Sequence, residues 1–301
     1  MSHGPSRIPS KGKCIYCGET ETKLTDEHFL PLSLGGQHII EKASCRKCAD
    51  ITKKFEQDVA RKMWGDARIS YNAPSRRKKE RPTHIKLNDP ERPGRTVKIP
   101  YSEYPAALIF YKMHKAGMLS GLPENLDISG AWQFSAVHDD EKAKGFEKKF
   151  GIKFTVKFHH VPSRFGRMLA KIGYGQVLWA LEPDEFRPLC MPYILGIKTN
   201  ISYIIGGTFE IPPPTPGIGY TLRTVVFGDR ERILLIALVR LYANLNSPIY
   251  HVVVGDVSGR PKVESVIAKL QSVEADLLPD PGPETAAPDD RHWQPDFWPL
   301  P

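Results

Sequence analysis

The sequence predicts an α+β protein, in which a small ββα unit precedes a larger mixed α+β domain with a mainly antiparallel sheet and a disordered acidic Pro-rich tail. Three observations support this. Two CxxC pairs lie within residues 14–48, and apolar residues follow them at intervals of four. Segments rich in Ile, Val, Leu, Tyr and Thr recur between residues 201 and 255. Intervals of four indicate a helix, and the later segments are typical of strands.

The chain of 301 residues is long enough for about two domains. We predict four parts along it: a flexible N-terminus over 1–12, a first domain with a basic linker over 13–81, an α+β domain of unknown role over 82–278, and a disordered tail over 279–301. The tail carries seven prolines and several acids, a composition that does not support a packed core.

The whole sequence also sets limits on location. It has no run of about 18 apolar residues, so no transmembrane helix is expected. Its first residues lack the apolar stretch of a signal peptide. We therefore expect a cytoplasmic protein without a membrane partner. In a reducing compartment, paired cysteines indicate metal binding rather than disulfides.

Four of the five cysteines form the two CxxC pairs, with 27 residues between the pairs: Cys14, Cys17, Cys45 and Cys48. This spacing can close a tetrahedral zinc site, and zinc would supply folding energy that so short a segment lacks. The fifth, Cys190, is expected to be a buried apolar thiol.

The ββα unit follows from the residues around these cysteines. Residues 23–30 predict a strand that ends near His28, residues 31–36 a loop, and residues 37–43 a second strand. The apolar stripe of the following helix is Ile51, Phe55, Val59 and Met63. Gly65 and then Asn72-Ala73-Pro74 are expected to end that helix.

The elements of the larger domain are predicted from periodicity, residue composition and turn residues. The predicted strands are 84–99 (two strands around a turn), 152–158, 201–211, 219–227, 231–243 and 249–255. The predicted helices are 104–118, 164–181 and 262–278.

Positive charge is concentrated just after the second CxxC pair. Residues 53–86 hold eleven Lys or Arg and four Asp or Glu, a net charge of +7 in a chain whose total is +8. Such a patch is typical of a surface that binds phosphate backbones, although a solvated helix face and linker would look the same. The candidate contacts are Lys53, Lys54, Arg76, Arg77, Lys78, Lys79 and Arg81.

The segment between the CxxC pairs holds residues suited to phosphodiester hydrolysis. A neutral His is the natural base for activating water, and one divalent ion can stabilise the charge that develops on phosphate. His28 fits the first role, and either Glu27 or Asp26 could hold the ion. Asp50 is the nearest further ligand, although it could equally be a first-turn acid that interacts with the helix dipole. The alternative for His28 is a structural role, in which its side chain packs against the following loop.

Taken in order, Cys14-x2-Cys17, Glu27-His28-x2-Pro31-x3-Gly35-Gly36, Cys45-x2-Cys48 and Phe55-Glu56 resemble an HNH nuclease of the ββα-metal (His-Me finger) class. The resemblance covers residues 14 to about 65. It implies structural zinc on the four cysteines, His28 as general base, and a catalytic Mg²⁺ or Mn²⁺ on its acidic neighbour, where the family pattern favours Glu27. It also implies a nucleic-acid substrate, with double-stranded DNA expected.

Two positions depart from that family. Ala49 stands where a metal-binding Asn or His usually follows the last cysteine, and the second strand lacks the family's Asn. Asp50 can substitute only with a rotation of about 100° around the helix.

The main hypothesis is a metal-dependent DNA endonuclease, and the alternative is a zinc-stabilised nucleic-acid-binding protein without catalysis. A nuclease for RNA or a modified base is a third hypothesis, and a protein partner could bind the C-terminal domain or tail.

Overall fold

The computed structural model describes residues 6–71, 73, 78–153, 156 and 158–277. The strands, in chain order, are β1 Ser6–Ile8, β2 Leu24–His28, β3 His38–Cys45, β4 His84–Asn88, β5 Thr96–Pro100, β6 Leu108–Lys112, β7 Gln133–Val137, β8 Arg187–Pro188, β9 Ile205–Gly207, β10 Tyr220–Gly228, β11 Arg232–Leu241 and β12 Tyr250–Ser258. The helices are α1 Arg46–Asp58, α2 Gly65–Ser70, α3 Asp140–Phe150, α4 Pro162–Val177, α5 Met191–Leu195 and α6 Arg260–Leu277.

The N-terminal unit has the predicted ββα order. β2 and β3 pair antiparallel, and α1 begins at Arg46, directly after β3. β1 adds a third, parallel strand on the other side of β3. This strand uses Ser6–Ile8, which lie within the segment predicted to be flexible.

The larger part contains the predicted antiparallel sheet, in the order β10-β11-β12-β8, with the short β9 also paired to β12. The long strands β11 and β12 are almost fully buried along their length. Of the predicted strand 201–211, only Ile205–Gly207 are in a strand. Two small ribbons, β4-β5 and β6-β7, complete the pairing among the described residues.

Helix α4 lies between the N-terminal unit and this sheet, and two glycines allow the close approach. A Cβ on Gly173 would lie 3.0 Å from Val252 on β12. A Cβ on Gly175 would lie 2.1 Å from the Cβ of Phe29, just after β2. Because both sides of α4 are covered, most of its residues from Phe165 onward are buried, as expected for a core helix.

The end of the α1 helix is anchored in the same core. After α1 the backbone continues as a π-helical turn, Val59–Met63, and reaches the fully buried Trp64. The indole Nε1 donates to the carbonyl of Ile109 at 2.7 Å. Buried residues from both parts of the chain form one continuous hydrophobic cluster. The two parts of the chain therefore share one hydrophobic core. The domain boundary between residues 81 and 82 stays a prediction from the sequence.

Two predicted elements of the larger part were wrong, and one of its helices was not predicted. Residues 104–118 are not a helix, since Leu108–Lys112 form strand β6 paired to β7. A continuous buried apolar run fits either element, and here cross-strand pairing decided it. In the N-terminal part, the helix after Cys48 ends with Trp64 as its C-cap, directly before Gly65 as predicted, and the short helix α2 then begins at Gly65. The described residues of 152–158 are not in a strand, and helix α3 was not predicted at all.

Helices α4 and α6 confirm the predictions for 164–181 and 262–278, and β4, β5 and β10–β12 confirm their strands. The predicted acidic tail, 279–301, lies outside the described residues. Among the helices that the structure describes, none has the length and apolar composition needed to span a membrane.

Candidate active site and metal centre

The four clustered cysteines come together as the sequence predicted. Their Sγ atoms all lie within 4.8 Å of one another, with Cys17 and Cys45 Sγ atoms 3.7 Å apart. Three of the four thiols are buried and Cys17 is exposed. The amide of Ile15 donates to the carbonyl of Ala43 at 2.8 Å, which ties the first CxxC pair to β3. Four thiolates at this spacing fit a structural zinc ion.

Strand β2 places Glu27 and His28 on different sides of the hairpin. Glu27 is opposite Ile40 in the β2-β3 register and His28 is opposite Ile39. Successive side chains in a strand point to opposite faces, and here Glu27 is only 6% exposed, whereas His28 is half-buried. The strand thus turns one residue toward the interior and leaves the next at the surface.

The loop after His28 is compact because two glycines shape it. Gly35 has a φ of 85°, which favours glycine, and its amide donates to the carbonyl of Leu32. At Gly36 a Cβ would lie 2.1 Å from the carbonyl oxygen of Leu30, so no other residue fits without a shift. Phe29 and Leu30 are fully buried beneath this loop. The residues that follow His28 are therefore firmly packed.

A lysine from α4 reaches into this site. Lys171 is 2% exposed, and its Nζ donates to the carbonyl oxygen of His28 at 2.7 Å. The same Nζ lies 2.5 Å from Oε1 of Glu27 and bonds Oε1 of Glu56, on α1. One ammonium thus joins β2, α1 and α4. A buried charge of this kind is tolerated only with such partners.

The charges of this cluster follow from its burial. Burial alone would lower the pKa of Lys171, but the carboxylates of Glu27 and Glu56 outweigh it and raise the pKa. Burial raises the pKa of Glu56, and the ammonium of Lys171 opposes that shift only in part. Lys171 is therefore protonated, and the cluster of two acids and one ammonium holds at most one excess negative charge.

The other predicted acids are used elsewhere. Asp26 is exposed and accepts from the backbone N–H of Lys42 and from Nη1 of Arg7, both at 3.1 Å. The hydrogen bond from Lys42, with that of Arg7, lowers the pKa of Asp26. These contacts fix the bulge in the β2-β3 ladder between Thr25 and Glu27.

Asp50 is not brought to Glu27. It is exposed and forms an ion pair with Arg46 at 3.2 Å, one turn earlier on α1. The buried face of α1 includes Thr52, and Asp50 precedes it by two residues, about 200° around the helix axis. Within the described parts of the chain, the cysteines are the only group of three or more His, Cys, Asp or Glu whose ligand atoms lie this close together.

Sequence reasoning gave no role to Glu56 and missed Lys171. Glu56 lies one turn after Thr52, on the face of α1 that meets β2. Its position beside Phe55 and Val59 of the apolar stripe could have indicated that this carboxylate faces the interior and needs a cation partner. Lys171 gave a weaker one, as the single charged residue within 168–177 of α4.

Further contacts hold α4 against the zinc-binding unit. Tyr174 donates from its hydroxyl to the carbonyl of Ile15, between the first two cysteines, at 2.8 Å. The guanidinium of Arg167 lies 5.0 Å from the centre of the Phe55 ring. Together with Lys171, these contacts place one face of α4 along the CxxC knuckle and α1.

The predicted nucleic-acid contacts are only partly described. Lys53 and Lys54 are exposed on α1, and Lys79 is exposed just before β4. Arg81 is half-buried and donates from Nη2 to the carbonyl of Ala73. Arg76 and Arg77 lie outside the described residues, as does the side chain of Lys78.

Comparison with known families agrees with the geometry. Residues 14–64 match the family model described as HNH endonuclease. This match spans both CxxC pairs, the Glu-His step and α1, so the N-terminal unit resembles an HNH endonuclease domain and carries four cysteines placed to bind a metal ion. No curated protein and no solved structure matches the chain.

Proposed function

We propose that this protein is a metal-dependent endonuclease that hydrolyses phosphodiester bonds in double-stranded DNA, with His28 as general base. The observation that carries the proposal is the placement of His28 at the end of β2, half-exposed, within a domain of the HNH endonuclease family. The zinc-binding cysteines, the Gly36 contact and Lys171 all restrict how the backbone at this residue can move.

The chemistry assigned to His28 is proton removal. Its neutral imidazole accepts a proton from water as the water oxygen attacks phosphorus, and the P–O bond to the departing oxygen breaks. General-base catalysis of this kind contributes about 10²- to 10⁴-fold in rate. Lys171 supports the role by holding the main chain of His28 and the side chain of Glu27 in one arrangement.

A catalytic Mg²⁺ or Mn²⁺ would be held by Glu27, through the carboxylate oxygen that Lys171 does not contact. Mg²⁺ usually takes one or two protein carboxylates and fills its other positions with water and substrate phosphate, so a single carboxylate is compatible with it. An ion bound there would neutralise charge on the phosphate only if the buried Glu27 side chain turned toward the face of β2 that carries His28. The predicted pairing of Glu27 with Asp50 does not fit, because Asp50 faces away and pairs with Arg46.

A second candidate is a zinc-stabilised protein that binds nucleic acid without cutting it. Two observations favour it: Lys171 already neutralises Glu27, and Ala49 offers no ligand atom on α1. Lys53 and Lys54 would contribute to binding in either case, since phosphate contacts set affinity and position.

Plasmid nicking separates the two candidates. Supercoiled DNA is incubated with the protein and Mg²⁺ or Mn²⁺, and relaxed product is measured over time. We expect nicking by the natural protein, loss of about 10²-fold or more in His28→Ala, and unchanged zinc content in that variant. His84→Ala is the matched control, because His84 is exposed on β4, outside the HNH domain.

Cutting at the natural rate by His28→Ala would contradict the assigned base. Binding of DNA without cutting under any divalent ion would favour the second candidate. A parallel assay with single-stranded RNA tests the substrate class directly, and preferential cutting of RNA would contradict the assignment to DNA.

A further inference from the structure

A second cluster of cations lies on the large sheet, far along the chain from the HNH domain. Asp256 on β12 is opposite Arg187 on β8 and Leu234 on β11 in the strand register. Arg232 lies two residues before Leu234 and so points to the same face of the sheet. The central strand therefore carries an acid with an arginine on each neighbouring strand.

The acid is buried and the arginines are not. The Asp256 side chain is 4% exposed, whereas those of Arg187 and Arg232 are 67% and 60% exposed. Arg187 binds both carboxylate oxygens, from Nε at 2.7 Å and Nη2 at 2.8 Å. Arg232 adds a third bond from Nη2 at 2.8 Å. One carboxylate thus orients two guanidinium groups without neutralising both.

These residues line an open cavity of about 420 Å³. Lys262, near the start of α6, and Ser258 also line it, and Val257 is the one apolar residue among the described residues of the lining. Lys262 is exposed, and its Nζ contacts a backbone carbonyl, that of Asp184, at 3.2 Å. The lining therefore carries three positive charges against one negative charge.

We propose that Arg187, Arg232 and Lys262 form a phosphate-binding site that contacts the backbone of a nucleic acid, separately from His28. Among the described residues, the bonds to Asp256 leave Nη1 of Arg187 and the Nε and Nη1 of Arg232 for an incoming acceptor. A guanidinium that is already oriented loses little freedom when it binds phosphate, and its planar fork matches phosphate oxygens.

The character of the cavity selects a polynucleotide over a small phosphorylated molecule. Sites for small ligands are mostly apolar and enclose most of the ligand surface. This cavity is open and mainly charged, and the described residues that line it include no aromatic side chain on which a base could stack. A backbone phosphate needs only accessible cations, which this site provides.

The site is also coupled mechanically to the HNH domain. Phe186, next to Arg187, packs against Tyr174 of α4 with ring centres 6.1 Å apart. Tyr174 in turn bonds the carbonyl of Ile15 in the CxxC knuckle. The same helix therefore supports both the zinc-binding unit and the strand that carries Arg187. The choice of nucleic acid as ligand rests on the proposed function, whereas the cationic site itself does not.

Fluorescence anisotropy with a labelled 24-base-pair duplex, measured over a range of salt, tests the proposal on the full chain. The variants are Arg232→Gln, in which Asp256 keeps both bonds from Arg187, and Lys262→Gln, which breaks no buried ion pair. Lys144→Gln, exposed on α3, is the control. We expect each test variant to bind the duplex roughly 3- to 10-fold more weakly, whatever the DNA sequence. The slope of log affinity against log salt concentration should become shallower by about 0.9, with no change in the control.

Unchanged affinity and salt slope in both test variants would overturn the proposal. Titration with inorganic phosphate and with ATP tests whether the site binds a small phosphorylated molecule instead of a polynucleotide. Tight binding of either one that is lost in Arg232→Gln, with duplex binding unaffected, would overturn the assignment to a polynucleotide. Duplex binding that depends on Arg232 and Lys262 in a protein that never cuts DNA would support this site while refuting the proposed hydrolysis.

Discussion

Lys171 donates a hydrogen bond from Nζ to the backbone carbonyl of His28 at 2.7 Å, although 143 residues separate them in the chain. The same ammonium forms ion pairs with both Glu27 and Glu56. The candidate base therefore depends on a helix that lies outside the HNH domain.

Loss of the ammonium should be costly. In Lys171→Met, the buried Glu27 and the half-buried Glu56 lose their shared cation, and removing one member of a buried charge cluster typically costs about 3–5 kcal/mol. Urea unfolding should show this loss in the midpoint. The triple variant that also carries Glu27→Gln and Glu56→Gln removes the stranded charges, so it should recover most of the stability. Equal destabilisation in both variants would show that charge is not the cause.

The approach of α4 to β2 depends on a missing side chain. Gly175→Ala would place a Cβ 2.1 Å from Phe29, and such overpacking costs roughly 1–3 kcal/mol or more. Gly145→Ala on α3 is the matched control, because its Cβ would meet nothing within 4 Å. That variant should gain about 0.5–1 kcal/mol, since alanine is the better helix former. Similar free energies of unfolding for the two variants would contradict this packing.

Zinc should be present at one ion per chain and should be lost in Cys48→Ser. The four Sγ atoms lie within 4.8 Å, and the metal supplies much of the folding energy of such a unit. Native mass spectrometry measures the metal content. Cys190→Ala is the control, because Cys190 is fully buried and lies outside the cluster. Retention of one zinc ion in Cys48→Ser would contradict the four-cysteine site.

Stability should fall in mild acid because of His251. Burial, with a smaller effect of Lys115, lowers the pKa of His251 to about 4, and its Nε2 accepts from the backbone N–H of Ala116. The unfolded chain binds its proton at about pH 6.5, so the unfolded state holds more protons between these values. The contribution is complete above pH 6.5 and is lost as the pH falls toward 4, by roughly 3 kcal/mol.

Urea unfolding at pH 7 and pH 5 measures that effect. His251→Gln keeps an acceptor at this position but cannot titrate, so its stability should change less between the two pH values. An identical pH dependence in the variant and the natural protein would show that His251 is not responsible.

The sequence predicted what local patterns determine. The CxxC spacing, the Ile, Val, Leu, Tyr and Thr content of β10 and the interval of four in α1 are each visible in residues near one another, and the structure confirms these elements. It could not predict that Lys171 would meet Glu27, because that contact depends on how distant elements pack. The buried run at Leu108–Lys112 was misread as helix for the related reason that its strand partner, β7, lies about 20 residues away.

Chemical rescue tests the central claim most directly, namely that His28 acts as the base of this HNH domain. Single-turnover cleavage of a labelled DNA duplex is measured for the natural protein and for His28→Gly, with and without added imidazole. We expect the variant to keep its zinc, to lose about 10²-fold or more in rate, and to recover part of the rate when imidazole is added. Cleavage by His28→Gly at the natural rate without imidazole would contradict the account.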